Sequence, residues 1–370
     1  MNFKFIAKTK QNRDFLRYLG YKTNTVFIGP ERVIINMSRA CNFHCLSCWT
    51  HSPFLKIAKN KNSFLKTDLF IRLIKDLSAL GTDFITLSGA GEPATHPDFY
   101  RICGEIKKED IKYEINSNLS LVDVGLLVSS APLKIRVNLS AATPETYQHF
   151  HQIDAKSLFD EAIQKIKFLK SAGIKIRLVF VLCRDNIHEF LGMVNLAANL
   201  KGGGGYVEIK FNPADVAEGT EAIKITEAQA QKLISQISEA QKITDEFGIP
   251  NNLNGLKHHF LGGPAKFYSS SYNCYQGWFS SLVDENGEVH FCCIRPGSLG
   301  NLNELSFKEI WLSDKYNAFR DLLKKKRFEH PLLKKCSRCL QLESNLAIHN
   351  SKMNSLSPAR LILQSLIQRR

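Results

Sequence analysis

Between residues 30 and 250, short apolar runs rich in β-formers alternate with longer amphipathic stretches, the pattern of repeated βα units around a parallel sheet. Strands are predicted over residues 32–37, 84–87, 113–115, 135–139, 176–182 and 206–211. Helices are predicted to follow them over 67–80, 97–107, 121–129, 156–172, 187–199 and 227–247. Six such units make an α/β fold, a partial (β/α)6 TIM-like barrel, whose chemistry belongs at the carboxyl ends of the strands. Four consecutive glycines at 202–205 read as a turn inside the barrel.

After residue 248 the alternation stops. Residues 280–283 and 289–291 flank a turn-forming stretch at 284–287, a hairpin signal. Residues 306–325 read as a helix, with Ser306 as N-cap and Glu309 completing a capping box. The expected organisation is an N-terminal extension over 1–30, the barrel over 31–250, a small cysteine-rich domain over 251–345, and a tail over 346–370 that is amphipathic and helical after Ser357.

Composition narrows the class. The 370 residues are 44% hydrophobic and 23% charged, which excludes a disulfide miniprotein and a disordered chain. A formal net charge of +14 favours anionic partners. Polar residues break every apolar run in the first twenty positions, so neither a signal core nor a membrane span is expected, and the chain is expected in the cytoplasm. Ten cysteines in a reducing compartment point to metal or redox chemistry before disulfides. They fall into one group at Cys41, Cys45 and Cys48 and a second at Cys274, Cys292, Cys293, Cys336 and Cys339, with Cys103 and Cys183 between.

The first group follows the first strand and offers three thiolates on one short loop. A structural zinc site and a ferredoxin-type cluster each take four protein ligands, so three leave a metal position open to a small molecule. The alternative is a zinc site completed by His44. In this context NMSRACNFHCLSCWT resembles the cysteine loop of radical S-adenosylmethionine enzymes, which binds a [4Fe-4S] cluster. Four further stretches, over about residues 30 to 250, agree with the resemblance. SGAGEPATHPDF is similar to the glycine-rich motif of that family and implies contact of Gly89, Gly91, Glu92 and Pro93 with the methionyl amino group. Its local reading is a turn from strand to helix opened by Pro97. NSNLS places Asn116 and Asn118 at the barrel mouth; VNLSAATPETYQHF implies Ser140 near the ribose, beside a helix start at Thr143. VFVLCRDNIHEF implies Arg184 at the cofactor carboxylate, with a surface ion pair as the alternative.

In the second group Cys274, Cys292, Cys336 and Cys339 supply four thiolates, enough for zinc or an iron-sulfur cluster. Residues 270 to 345 resemble the twitch or SPASM auxiliary-cluster domain, including Gly287 before Cys292, Gly300-Asn301 and Trp311. No cysteine follows Cys339, so one auxiliary [4Fe-4S] cluster is implied. Cys293 is expected on the opposite face of its strand from Cys292, and Cys103 within a buried helix face. Cys183, beside Arg184 at a strand end, is the candidate to return a hydrogen atom to a substrate radical.

The resemblance implies reductive cleavage of S-adenosylmethionine to a 5′-deoxyadenosyl radical, which takes a hydrogen atom from the substrate. It also implies an electron donor such as flavodoxin or ferredoxin. Forty residues precede Cys41, against the roughly 80 to 90 of a separate peptide-recognition domain, and the expected substrate is therefore small, sugar-like or nucleotide-linked, with dehydrogenation or epimerisation as the reaction. Maturation of a ribosomal peptide or a protein side chain is the alternative. A third reading is a zinc-containing RNA-binding protein using the basic run at 324–327 with Lys334, Lys335 and Arg338; that run lacks interleaved aromatics, and nucleic acid is not expected as a partner.

Overall fold

The computed structural model describes residues 9–55, 63–216, 218–262, 273–293, 297–325, 330, 333 and 342–353. The six predicted strands form as β1 (Arg32–Asn36), β2 (Phe84–Ser88), β3 (Lys112–Ser117), β4 (Lys134–Asn138), β5 (Lys175–Leu182) and β6 (Val207–Pro213). Each pairs in parallel with its neighbour, the geometry that helical crossovers impose. The helices are α1 (Lys10–Thr23), α2 (Thr67–Ala79), α3 (Phe99–Lys108), α4 (Val124–Ser129), α5 (Pro144–His151), α6 (Ser157–Ser171), α7 (Phe190–Gly202), α8 (Glu227–Glu246) and α9 (Leu253–Gly262). The mixed fold with its parallel sheet is the partial TIM-like barrel that the alternation predicts.

Strand alternation separates two environments. Val33, Ile35, Ile85, Leu87, Ile115, Ile135, Val137 and Leu178 are fully buried in the main core. The residues between them, among them Ile34, Ser88, Asn116, Arg136, Asn138 and Val179, are half-exposed on the inner face of the open barrel.

The predicted hairpin is β7 (Ser280–Val283) and β8 (Glu288–His290), preceded by α10 (Gln276–Phe279) and followed by β9 (Gly300–Asn301). It also does something the local pattern does not predict. β7 pairs in parallel with β1, Arg32 opposite Ser280 through Ile35 opposite Val283, so one nine-stranded sheet runs β6-β5-β4-β3-β2-β1-β7-β8-β9. The cysteine-rich region is thereby an extension of the barrel sheet.

Several boundaries differ from expectation for local reasons. The helix predicted from 97 begins at Phe99, after the short 3-10 turn Pro93–Thr95 and an extended His96. The helix predicted from 121 begins at Val124, where the Asp123 carboxylate accepts the Leu126 amide as N-cap. The single helix predicted over 306–325 is two, α11 (Phe307–Leu312) and α12 (Asp314–Lys324), because Ser313 turns extended and its hydroxyl caps the second. The Ser306–Glu309 capping box forms as expected. Gly204 and Gly205, both at positive φ, make the predicted turn.

Helix α1, unpredicted, is clamped to the barrel by a buried arginine. Arg17 donates to the Gly29 carbonyl at 2.9 Å, the Gly81 carbonyl at 2.9 Å and the Asp83 carboxylate at 2.6 Å. The last described helix is α13 (Leu342–Met353); the tail after Ser357 lies outside the described residues. No helix among the described residues is long and apolar enough to cross a membrane.

Candidate active site at the mouth of the barrel

The cysteine loop leaves the end of β1 and is held from two sides. On one side stands the glycine-rich loop after β2. The Gly91 amide donates to the Ser38 carbonyl at 3.0 Å and the Glu92 amide to the Ala40 carbonyl at 2.8 Å, while the Thr95 hydroxyl reaches the same Ala40 oxygen at 3.2 Å. These contacts require glycine. A Cβ on Gly91 would stand 2.0 Å from the Ala40 oxygen, and one on Gly89 2.4 Å from the Gly91 oxygen and 2.7 Å from that of Ser38. Pro93 is buried at the start of the short turn that follows. The two glycines therefore let the loop lie flat against the chain entering Cys41.

Glu92 is buried and accepts from the Ser117 hydroxyl at 2.7 Å, the Asn118 amide at 2.8 Å and the Ala94 amide at 3.2 Å. Burial pushes its carboxyl above the usual range despite these three donors, which pull the other way. Its side chain thus ties the β2 loop to the β3 loop. Asn118 extends the tie, donating to Asn42 at 3.1 Å within the cysteine loop. Asn116 donates to the Ser88 hydroxyl at 3.0 Å and leaves its Oδ1 buried without a partner among the described residues.

On the other side stands the C-terminal turn of α5. The Phe150 and His151 carbonyls accept the Leu46 amide at 2.9 Å and the His44 amide at 3.1 Å, on either side of Cys45. The His151 ring is fully buried, with Nε2 3.1 Å from the Leu139 carbonyl and Nδ1 3.0 Å from Cys45 Sγ. A carbonyl only accepts, so Nε2 carries the proton and Nδ1 accepts from the thiol. Burial pushes the His151 basicity down to about 4.

Burial pushes the Cys41 thiol up to about 11, opposed by the Phe43 and Asn42 amides and reinforced by Glu92 and Cys48. Cys45 is also raised, first by burial and then by Cys48 and Cys41. The three thiols therefore lie within electrostatic reach of one another. Cys48 Sγ accepts the His51 amide at 3.2 Å and the Thr50 amide at 3.4 Å, donors that suit a thiolate. Among the described residues no three His, Cys, Asp or Glu side chains close around a point for a single metal ion. A cuboidal cluster makes no such demand, since each of its cysteines sits on a different iron; three thiols on one loop with no fourth protein ligand fit it. His44 is exposed, its ring 6.2 Å from that of His51.

The remaining predicted residues divide. Ser140 is buried at positive φ, with its hydroxyl donating to Asn138 at 2.7 Å and accepting from the Val181 amide at 3.0 Å, so it bridges β4 and β5. Arg184 is pinned through its backbone, to Ile223 at 2.9 Å and Gln229 at 2.8 Å, and its side chain is exposed. Cys183 is buried against Leu46, Phe150 and Ile223, its Sγ 3.9 Å from Asp185, and burial pushes its thiol up to about 11. It is protonated at neutral pH. Cys103 is buried in the core as expected.

Of the second group, Cys274 packs against the main core and Cys292 is buried within it. β8 ends at His290, so strand alternation does not reach Cys292 and Cys293; the former is buried, the latter half-buried. Cys336 and Cys339 lie outside the described residues. Beside the β1–β7 pairing, a side-chain tie runs from the hairpin to the cysteine loop: Glu285, in the turn of the hairpin, accepts from Arg39 at 2.9 Å, and the Arg39 carbonyl accepts from His51 at 2.8 Å. Sequence reading missed Arg39, His51 and His151. The only signal was the proximity of each to a quoted motif.

Residues 35–197 match the radical SAM superfamily, and residues 274–340 match the SPASM iron-sulfur cluster-binding domain. The chain is similar to an AdoMet-dependent heme synthase of Methanosarcina barkeri, 23% identical over 84% of this chain and 88% of the relative. It is also similar to the Fe-coproporphyrin III synthase of the same organism, 26% identical over 84% and 81%. Among solved structures, SuiB of Streptococcus suis bound to S-adenosylmethionine shares the fold with a TM-score of 0.63 and 17% identity, over 85% of this chain and 72% of SuiB. The first domain implies a [4Fe-4S] cluster and S-adenosylmethionine, the second an auxiliary iron-sulfur cluster. Both cysteine groups fall inside these domains, which sets aside structural zinc in an RNA-binding protein. The chain is a radical SAM superfamily enzyme with a SPASM domain towards its C-terminus.

Proposed function

We propose that this enzyme abstracts a hydrogen atom from a small anionic substrate, sugar-like or nucleotide-linked, bound on the inner face of the barrel beneath the cysteine loop. The observation that carries the reading is the junction of two features: a three-thiol loop clamped at the barrel mouth, and an inner face that is half-exposed, polar and rich in cations. When bound at Cys41, Cys45 and Cys48, the cluster together with S-adenosylmethionine supplies a 5′-deoxyadenosyl radical able to attack an unactivated C–H bond.

The chain's own residues do the rest. The α5 turn and the β2 loop fix the cysteine loop in place, so little reorganisation accompanies reaction. The backbone of Gly89, Gly91, Glu92 and Pro93 faces the same mouth and is the candidate contact for the methionyl group. Of the polar cofactor candidates Asn116 lies deepest, on the face given to the substrate; Asn118 and Ser140 are engaged in holding loops, and Arg184 has an exposed side chain, unpaired among the described residues, that suits a carboxylate. Cys183 holds its proton and is the candidate hydrogen-atom donor for an epimerisation; without such donation the substrate leaves oxidised. Cys274, Cys292, Cys336 and Cys339 are assigned to the auxiliary cluster, and flavodoxin or ferredoxin to the supply of electrons.

A peptide substrate is the second reading. It is favoured by the likeness in fold to SuiB, which has also been solved bound to the precursor peptide SuiA. The two are separated by incubating the reconstituted enzyme with dithionite and S-adenosylmethionine, adding nucleotide sugars, sugar phosphates or cysteine-containing peptides, and measuring 5′-deoxyadenosine. A small anionic substrate is expected to raise its formation at least tenfold over the substrate-free rate; stimulation by peptides alone would transfer the reading to peptide maturation.

A further inference from the structure

The inner face of the sheet carries more charge than the chemistry above uses. Asn116 on β3 is in register with Arg136 on β4, Arg136 with Arg177 on β5, and Arg177 with Glu208 on β6. Register partners share a face, so these side chains form one row across the barrel floor. Arg136 is at its centre. Its Nη1 reaches Glu114 at 3.4 Å, a carboxylate that also accepts from Thr86 at 3.0 Å and lies 3.7 Å from Arg32. Glu208 is taken by Arg177 and by Lys134. Four cations thus share two carboxylates, and the floor keeps a net positive charge. Burial bears against the charge on Arg136, as do Arg177 and Arg32, while Glu114 supports it.

Two atoms in this row are buried without a hydrogen-bond partner among the described residues: Arg136 Nε and Asn116 Oδ1. They belong to register-paired residues of adjacent strands and so lie on the same face of the sheet. The Ser88 hydroxyl, which accepts from the Asn116 amide, can equally donate to it, so the amide can turn and present its NH2 beside Arg136 Nε. The row then offers two donors in a positive field, the recognition chemistry of an oxyanion. Position agrees. Asn116 stands two residues, roughly 6.6 Å of strand, below Asn118, which is bonded into the cysteine loop. An oxyanion held here leaves the remainder of a small molecule directed at the mouth.

We propose that Arg136 and Asn116 form the subsite for an oxyanion of the substrate, its carboxylate or phosphate. The substrate class rests on the proposed function; the anion site itself does not require the radical chemistry. The test is calorimetric titration of the full chain, without cluster, with inorganic phosphate and separately with malonate at constant ionic strength. At least one probe is expected to bind saturably, and the dissociation constant is expected to rise about tenfold or more in Arg136→Gln and in Arg136→Lys. The lysine variant keeps a cation beside Glu114 and so guards against a misfolded result. Phosphate as the sole binder marks a phosphorylated substrate, malonate as the sole binder a carboxylate. Equal affinity in the wild type and Arg136→Lys, or no saturable binding of either probe, overturns the proposal and leaves the two atoms bridged by water. Anion binding that depends on Arg136, in a chain that does not cleave S-adenosylmethionine, would keep the subsite and overturn the reaction.

Discussion

At the scale of single residues, the site depends on atoms with no room to move. A methyl group at Gly91 would meet a backbone oxygen, which cannot rotate away as a side chain could. Gly91→Ala is expected to cost about 1 to 3 kcal/mol and to lower iron loading at the first site more than the fall in stability accounts for. Urea unfolding and iron content, measured on the same preparation, check this; normal loading with normal stability would show that the two loops do not depend on each other. Glu92→Gln is a sharper probe because it preserves size. One amide NH2 must then face a hydroxyl or backbone N–H that the carboxylate accepted, and a loss of about 1 to 3 kcal/mol is expected. Of these residues, spacing made the cysteines and glycines legible. His151 and Arg39 were not, because their roles exist only through contacts with chain distant in sequence, a loop 106 residues away for one and a hairpin 246 residues away for the other.

At the scale of elements, α1 shows why a helix can escape a sequence reading. Its segment KQNRDFLRYLGYKT has no continuous apolar stripe, and its buried face includes Arg17 and Gly20 beside Leu16 and Tyr21. What fixes it is the Arg17 clamp. Burial alone would raise the Asp83 carboxyl, but Arg17 and Arg13 outweigh it and hold Asp83 below its ordinary value. A carboxylate depressed in the folded state contributes stability above its unfolded value of 3.8, and that contribution is lost as pH falls through the folded value. Arg17→Met leaves Asp83 mostly buried without its main partner and is expected to cost about 3 kcal/mol at pH 7. The difference from the wild type should begin to shrink below about pH 4, where Asp83 protonates in the unfolded chains, and go on shrinking as pH falls through its lower value in the folded wild type. Urea unfolding at pH 7 and pH 3.5 checks the sign; a difference independent of pH would assign the loss to packing alone. The six strands and the hairpin, by contrast, were legible because their apolar alternation is a local signal. The break at Ser313 was not, since serine is tolerated inside helices and here acts as a cap only through the turn the chain takes.

At the scale of the molecule, the sheet is continuous from the barrel into the SPASM region. The β1–β7 pairing joins residues about 250 positions apart, beyond any local pattern, so the continuation of the barrel sheet into the hairpin was not legible in the sequence. The Arg39–Glu285 pair adds a direct tie from that region to the cysteine loop. Glu285→Ala removes a buried carboxylate facing a half-buried guanidinium, and iron held at the first site is expected to pass to a chelator several-fold faster. An unchanged rate would confine the coupling between the regions to the shared sheet.

We propose that the clamped loop of Cys41, Cys45 and Cys48 builds a cluster site for radical chemistry. Its most direct test is iron and acid-labile sulfide per chain after anaerobic reconstitution, read together with 5′-deoxyadenosine formed from S-adenosylmethionine and dithionite. About eight irons per chain and 5′-deoxyadenosine are expected, with about four irons and no cleavage once the three cysteines are alanine. Undiminished cleavage in that triple variant, or stoichiometric zinc in place of iron, would contradict it.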